Sequence, residues 1–166
     1  GFRTVNQMVG RVDMLDTRKA IDHWKARGMD FSRLLHRPPR ADEVATYCCQ
    51  KQDHGLDKAL DNQLIALAQP AIDRQQPVTI RLPIRNSNRT VGAMLSGKVA
   101  KKYGEEGLPP GTIQIHFTGS AGQSFGAFLA PGIDLFLEGD TNDYMGKGIG
   151  GGKIVIVHPA DAGFVP

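Results

Sequence analysis

The chain has 166 residues, 40% of them hydrophobic, and carries 20 Lys and Arg against 17 Asp and Glu for a net charge of +3. A mean hydropathy of -0.27, with no apolar run of the roughly 18 residues that a spanning helix needs, excludes a membrane span and describes a water-soluble protein. The two cysteines, Cys48 and Cys49, are adjacent; they make neither a disulfide framework nor a metal-ligand set and fit a reducing compartment, the cytoplasm.

The chain opens on Gly1 without a methionine or an apolar signal core, which reads as a piece of something longer or a processed protein. Thr4 and Gln7 form a capping-box pattern that predicts a short helix through Met8. A second helix is predicted from Asp16 or Thr17, carrying Ile21 and Trp24 and closed by Gly28. Arg37-Pro38-Pro39-Arg40 cannot continue a helix and reads as a linker. Leu56, Leu60, Leu64, Leu67 and Ala71 then lay an apolar stripe at helical spacing, interrupted or bent at Pro70.

After Gln76 the texture changes. Short strands are predicted at 78–82, 113–117, 133–137 and 154–157, the last two each preceded by glycine, and residues 98–110 read as a brief helix and loop. Half of the 20 glycines fall between Gly119 and Gly152, where the sequence repeats itself at a spacing of 20. Gly119 matches Gly139, Phe125 matches Met145, Gly126 matches Gly146, Leu129 matches Ile149 and Gly132 matches Gly152. A weaker copy upstream aligns Val91, Gly92 and Leu95 with Phe125, Gly126 and Leu129. Each repeat is one coil that cannot bury its apolar residues alone, and glycine lets identical corners stack. The expectation is a mainly β protein: a right-handed parallel β-helix of glycine-rich coils over 77–166, incomplete, with a helical N-terminal arm over 1–76.

Charge is uneven along the chain. Seven Lys or Arg and no acidic residue lie between Arg74 and Gly104, whereas five acidic and two basic residues follow Gly119. The basic stretch lacks the interleaved aromatics that stack on bases, so a solvated face or a contact with an acidic neighbouring domain is expected in place of nucleic acid.

Two motifs imitate chemistry. Gly122-Gln123-Ser124-Phe125-Gly126 matches the G-x-S-x-G of a hydrolase nucleophile elbow, but Pro131 and Gly132 leave no room for the helix that must follow. Ser124 also aligns with Tyr144 in the next coil, which makes it a structural slot. The run from Gly146 to Lys153 suggests a phosphate-binding loop, yet neither Lys147 nor Lys153 is followed by Ser or Thr. The five histidines show no metal-ligand spacing, and two cysteines are too few for an iron–sulfur cluster. The asparagines Asn86, Asn88 and Asn142 are expected to bond their own turns or to stack as a ladder. No catalytic, cofactor-binding or metal-binding residue is assigned.

The segments Arg89–Gly97, Gly119–Phe128 and Leu137–Gly148 resemble, in this order, the C-terminal GXGXG domain of the glutamate synthase large subunit. Gly1–Thr4 and Gly10–Asp16 resemble the segment that joins the family's flavin-binding barrel to that domain. A more distant likeness, to a subunit of formylmethanofuran dehydrogenase, does not extend to the first third of the chain. The family resemblance implies a parallel β-helix with a structural role, in which it holds catalytic domains in register and contributes to subunit contacts. It implies that FMN and an iron–sulfur cluster belong to other domains of the parent enzyme, and that this chain is not an enzyme on its own. Gly150 stands where the family usually has serine, and the coils stop at Pro166, which predicts an open end at 154–157. The expected partners are other glutamate synthase domains or subunits, or another copy meeting that end. The alternatives are a free-standing oligomerisation module and, in a different class, a small serine hydrolase using Ser124.

Overall fold

A computed structural model describes residues 1–41, 43–159 and 162–163. The last residues of the 77–166 segment, 164–166, therefore lie outside the described residues. The chain divides into two compact units, Gly1–Asp53 and His54–Pro166.

The first unit contains two one-turn helices, α1 (Val5–Met8) and α2 (Arg18–Ile21), with a 3-10 turn at Val12–Met14 between them. Helices this short are not stable through their own hydrogen bonds and need packing or caps. At α1 the Thr4 hydroxyl makes no cap bond; the Gln7 side chain instead accepts from the Arg3 N–H at 2.8 Å. The second helix stops at Ile21, well short of Gly28. Trp24, expected on its apolar face, is 72% exposed and contributes nothing to a core.

In the second unit the predicted apolar stripe becomes a 3-10 turn at Leu56–Lys58 followed by α3 (Asp61–Leu67) and α4 (Gln69–Arg74). The break falls at Ala68, with Pro70 in the first turn of α4, where its missing N–H costs nothing. Leu64 and Ala71 are buried as the stripe predicts, but Leu56 and Leu67 are exposed, and Ala68 and Ile72 take the inner face. Strand β1 (Val78–Ile84) follows, then α5 (Ala93–Tyr103), β2 (Ile113–Ala121), β3 (Ile133–Thr141) and β4 (Lys153–Val157). All four strands are parallel and lie side by side in chain order.

This arrangement corrects the expected fold class. The unit is an α/β-type fold built on one four-stranded parallel sheet, not a mainly β right-handed parallel β-helix. The reason lies in how the core is filled. One face of the sheet presents Ile80, Ile84, Ile113, Ile115, Phe117 and Leu135, and helices supply much of the opposing wall. Leu64 of α3, Ala68 at the break, Ala71 and Ile72 of α4, and Leu95 and Val99 of α5 belong to the same buried cluster. The helix expected only briefly near residue 98 begins at Ala93 and carries Leu95, Val99 and Tyr103 at i, i+4, i+8 toward that cluster, with Lys98 and Lys101 outside.

The repeat holds in the backbone. β2 and β3 pair from Ile113↔Ile133 to Ala121↔Thr141, placing Gly119 opposite Gly139. Between β3 and β4 the register shifts by one residue, so Asp134 faces Lys153 and Leu135 faces Ile154. Side chains alternate across a strand, so keeping the repeat spacing there would turn Lys153 and Val155 inward. The shift keeps Ile154 and Ile156 with Leu135 and Leu137, and lets Lys153 Nζ approach the Asp134 carboxylate at 3.5 Å.

Corners are repeated as faithfully as strands. Thr90, Ser124 and Tyr144 occupy equivalent positions and have φ of 56°, 62° and 61°. Two residues on, Gly92, Gly126 and Gly146 are also left-handed. At Gly139, φ is 151° and a Cβ would collide with the carbonyl oxygen of Gly119, while at Gly119 it would collide with that of Ile84. No side chain fits between parallel backbones stacked this closely. Gly139→Ala is therefore expected to destabilise the unit by about 3 kcal/mol or more. Gly97, inside α5 with open space around its Cα, is the control: Gly97→Ala should stabilise by about 0.5–1 kcal/mol. Chemical unfolding of the two variants measures both; equal effects would refute the stacking constraint.

Candidate functional site

The three turns after β1, β2 and β3 hold the motifs that most resemble chemistry, and many of their backbone groups are engaged. The Thr90 N–H donates to the Gln123 carbonyl at 2.9 Å, and the Ser124 N–H donates to the Asp143 carbonyl at 2.9 Å. In the opposite direction, the Gly126 N–H donates to Val91 and the Gly146 N–H to Phe125, both at 2.9 Å. Side chains continue the pattern outside: Gln123 Nε2 donates to Asp143 Oδ1 at 2.9 Å, and the Ser120 hydroxyl donates to the Asp140 carboxylate. Asn88 bonds its own turn, its Oδ1 accepting from the Arg85 N–H at 2.9 Å.

Both candidate motifs lie in these turns. A nucleophile elbow needs a helix after its serine and free N–H groups for an oxyanion. Ser124 is followed by turn residues and then β3, and the N–H groups of Ser124 and Gly126 are committed to neighbouring turns. A phosphate cradle needs free amides at a helix N-terminus. The amides of Gly146, Lys147, Ile149, Gly150 and Gly151 all donate to protein carbonyls, and strand β4 follows. Lys147 instead lies over the Tyr144 ring at 5.0 Å.

Sequence reasoning missed Asp61. This aspartate, at the start of α3, is 2% exposed, and its carboxylate accepts from the N–H groups of Gly92 at 3.0 and 3.1 Å and of Leu95 at 3.0 Å. The N-cap of α5 is Gly92, which has no side chain to cap with, so Asp61 supplies the cap from 31 residues away. Burial pushes the carboxyl above its ordinary value of 3.8, while the bonds from Leu95, Gly92 and Met94 pull the other way. A buried acid with a displaced pKa is a common mark of catalysis. Here both oxygens are spent on backbone amides, and the role is structural. The sequence signal, an Asp at the head of an apolar stripe, looks like any helix start.

α5 is tied down at three further places. The Ser96 hydroxyl accepts from the Ala130 N–H at 3.1 Å, the Tyr103 hydroxyl donates to the Ile72 carbonyl at 2.7 Å, and Lys102 Nζ donates to the Asp73 carbonyl at 3.0 Å.

Two surfaces lie outside these contacts. On the outer sheet face, register aligns Arg81, His116, Phe136 and Val155, and the His116 and Phe136 rings stack at 4.7 Å with 11° between planes. At the end of the sheet, β4 pairs only with β3 among the described residues. Beside it Tyr144, Met145 and Ile149 of the last turn are exposed, as is Val157. Charge steps across the turns: equivalent positions carry Arg89, Gln123 and Asp143. Among the described residues no helix is long and apolar enough to cross a membrane.

Such a unit, whose glycine corners bond to one another and whose buried acid caps a helix, is defined as a repeat module with its polar groups turned to structure. Residues 61–166 match the GXGXG motif family, and the chain belongs to that family. Over all of its length the chain is 48% identical to a glutamate synthase of Schizosaccharomyces pombe named for NADH, of which it covers 8%. It is 46% identical, over 94% of its length, to the large chain of the NADPH glutamate synthase of Bacillus subtilis, covering 10% of that chain. Identity to a ferredoxin-dependent glutamate synthase of Synechocystis is 39% over the whole chain and 11% of the relative. The chain thus spans roughly a tenth of the length of the relatives it matches.

The Asp61 cap gives a signed expectation. The folded state holds the Asp61 proton more tightly than the unfolded chain, so raising pH from 3.8 through the higher folded-state value lowers stability, which then levels off. Asp61→Asn should abolish that decline in unfolding measurements across pH. Asp61→Ala, which strands buried amides, should cost about 2–3 kcal/mol at neutral pH. A native protein with the same pH profile as Asp61→Asn would show the carboxyl to be unperturbed.

Proposed function

We propose that the chain is a non-catalytic structural part of a glutamate synthase, holding catalytic domains or subunits together while glutamine and 2-oxoglutarate are converted reductively to glutamate elsewhere. The observation that carries this reading is the use of the turn amides. The Gly- and Ser-containing loops that resemble oxyanion and phosphate sites bond to one another from turn to turn. Similarity along the whole chain to glutamate synthases adds the enzyme in question. Relatives named for NADH, NADPH and ferredoxin all match this segment, as expected of a part indifferent to the electron donor.

In this reading FMN and the iron–sulfur cluster belong to other domains. The donor set here does not fit a cluster: the chain has 2 cysteines, and the three or four thiolates of a cluster cannot come from it. Partners are the neighbouring domains or subunits, in the cytoplasm, and no nucleic acid. The basic residues of 74–104 support a protein contact, since the structure distributes them over the outer sheet face (Arg81), the first turn (Arg89) and α5 (Lys101).

A second reading, self-association through the last strand, is favoured by the outer edge of β4 and the exposed Met145 and Ile149 beside it. An open strand edge is a template for pairing.

Purified chain assayed for glutamine hydrolysis and for glutamate formation with a reductant is expected to show neither; either activity would overturn the structural reading. Sedimentation at high concentration separates the second reading. Association weakened by Val157→Lys supports pairing through β4, and a stable monomer rejects it.

A further inference from the structure

Cys48 and Cys49 lie in the first unit, outside the repeat and outside every contact used above. Both are free thiols, and both are exposed. They belong to an irregular stretch without helix or strand, where the Cys48 thiol donates to the Gln50 carbonyl at 3.3 Å. Adjacency makes a disulfide between them unfavourable. A trans peptide fixes neighbouring Cα atoms about 3.8 Å apart, below the roughly 4.4 Å at which unstrained disulfides begin.

Inserting one atom between the sulfurs removes that limit, because the sulfur-to-sulfur span lengthens while both sulfurs still bond the same centre. The kind of centre is restricted by what else is nearby. Among the described residues no group of three or more His, Cys, Asp or Glu is placed to hold a metal, so the four ligands of a structural zinc are not available. Two thiolates do satisfy a soft centre that takes two sulfurs.

We propose that Cys48 and Cys49 form a two-sulfur chelating site for trivalent arsenic and chemically similar thiophilic centres. With phenylarsine oxide both S–H bonds break and two As–S bonds form. The arsenic-bound oxygen leaves as water with the two thiol protons. Arsenic stays trivalent, the phenyl group stays on it, and no oxidant or reductant is required.

The test uses the full chain and one equivalent of phenylarsine oxide. Intact mass spectrometry should show a single adduct, with both thiols lost to titration by an aromatic disulfide. The adduct should survive excess 2-mercaptoethanol and be removed by 2,3-dimercaptopropanol. Cys48→Ser and Cys49→Ser, each at an exposed position and checked for folding by circular dichroism, should still react but release arsenic to the monothiol. The chelate should hold it on the order of a hundredfold more tightly. An adduct on the native chain that the monothiol strips as readily as from the variants would overturn the proposal. So would failure to form one, or an existing disulfide between the two residues.

Discussion

Everything in the second unit depends on how closely its parallel backbones stack at one point. Ile84, Gly119 and Gly139 lie one above another in β1, β2 and β3, and the gaps between them admit no Cβ. This contact fixes the register of three strands where they enter their turns. Once it is set, Thr90, Ser124 and Tyr144 must adopt the same left-handed corner, although none of them is glycine. A non-glycine residue in that conformation costs about 1–2 kcal/mol. At Thr90 and Ser124 the amides offset the strain by bonding to the next turn.

The same repetition occupies many of the amides in the two motifs. A loop that binds an anion keeps several N–H groups convergent and unpaired. Stacked turns do the reverse: the amides of Thr90, Ser124, Gly126 and Gly146 meet carbonyls of a neighbouring turn, and those of Ala127, Lys147 and Ile149 meet carbonyls of their own. Glycine is abundant for the same reason in both cases, close backbone approach, so composition alone does not separate a phosphate loop from a structural corner. The direction in which the amides point separates them.

Helix α5 joins the helical and sheet layers. It lies in the connection between β1 and β2, and its N-terminus is capped by a residue of α3. Its middle is held through Ser96 and its C-terminal end through Tyr103. These are buried or half-buried polar contacts, which contribute direction more than energy because they satisfy one specific partner each. They turn the helices from an arm, as the sequence suggested, into one wall of the core. Outside these contacts lie a stacked His116–Phe136 pair on the outer sheet face and an apolar edge at β4.

The sequence by itself determined the strands, the corners and the family. Those follow from local signals: alternation at 113–117, a repeat that pairs Gly119 with Gly139, and the order of three glycine motifs. It also determined that Ser124 is a repeated slot, because Tyr144 fills the same place. Only the tertiary structure decided the class of the fold. Whether Leu64, Ala68 and Ile72 form a separate helical arm or the lid of a sheet depends on which apolar face meets them, and helical periodicity is the same in both cases. Only the tertiary structure revealed Asp61 as the cap of α5, since the partners are far apart in sequence. The one-residue shift at β4 was likewise hidden, because local similarity aligned Gly132 with Gly152 while the core selected the pairing that buries Ile154 and Ile156. In each instance the deciding energy comes from burial and hydrogen bonding between distant segments, which no local pattern records.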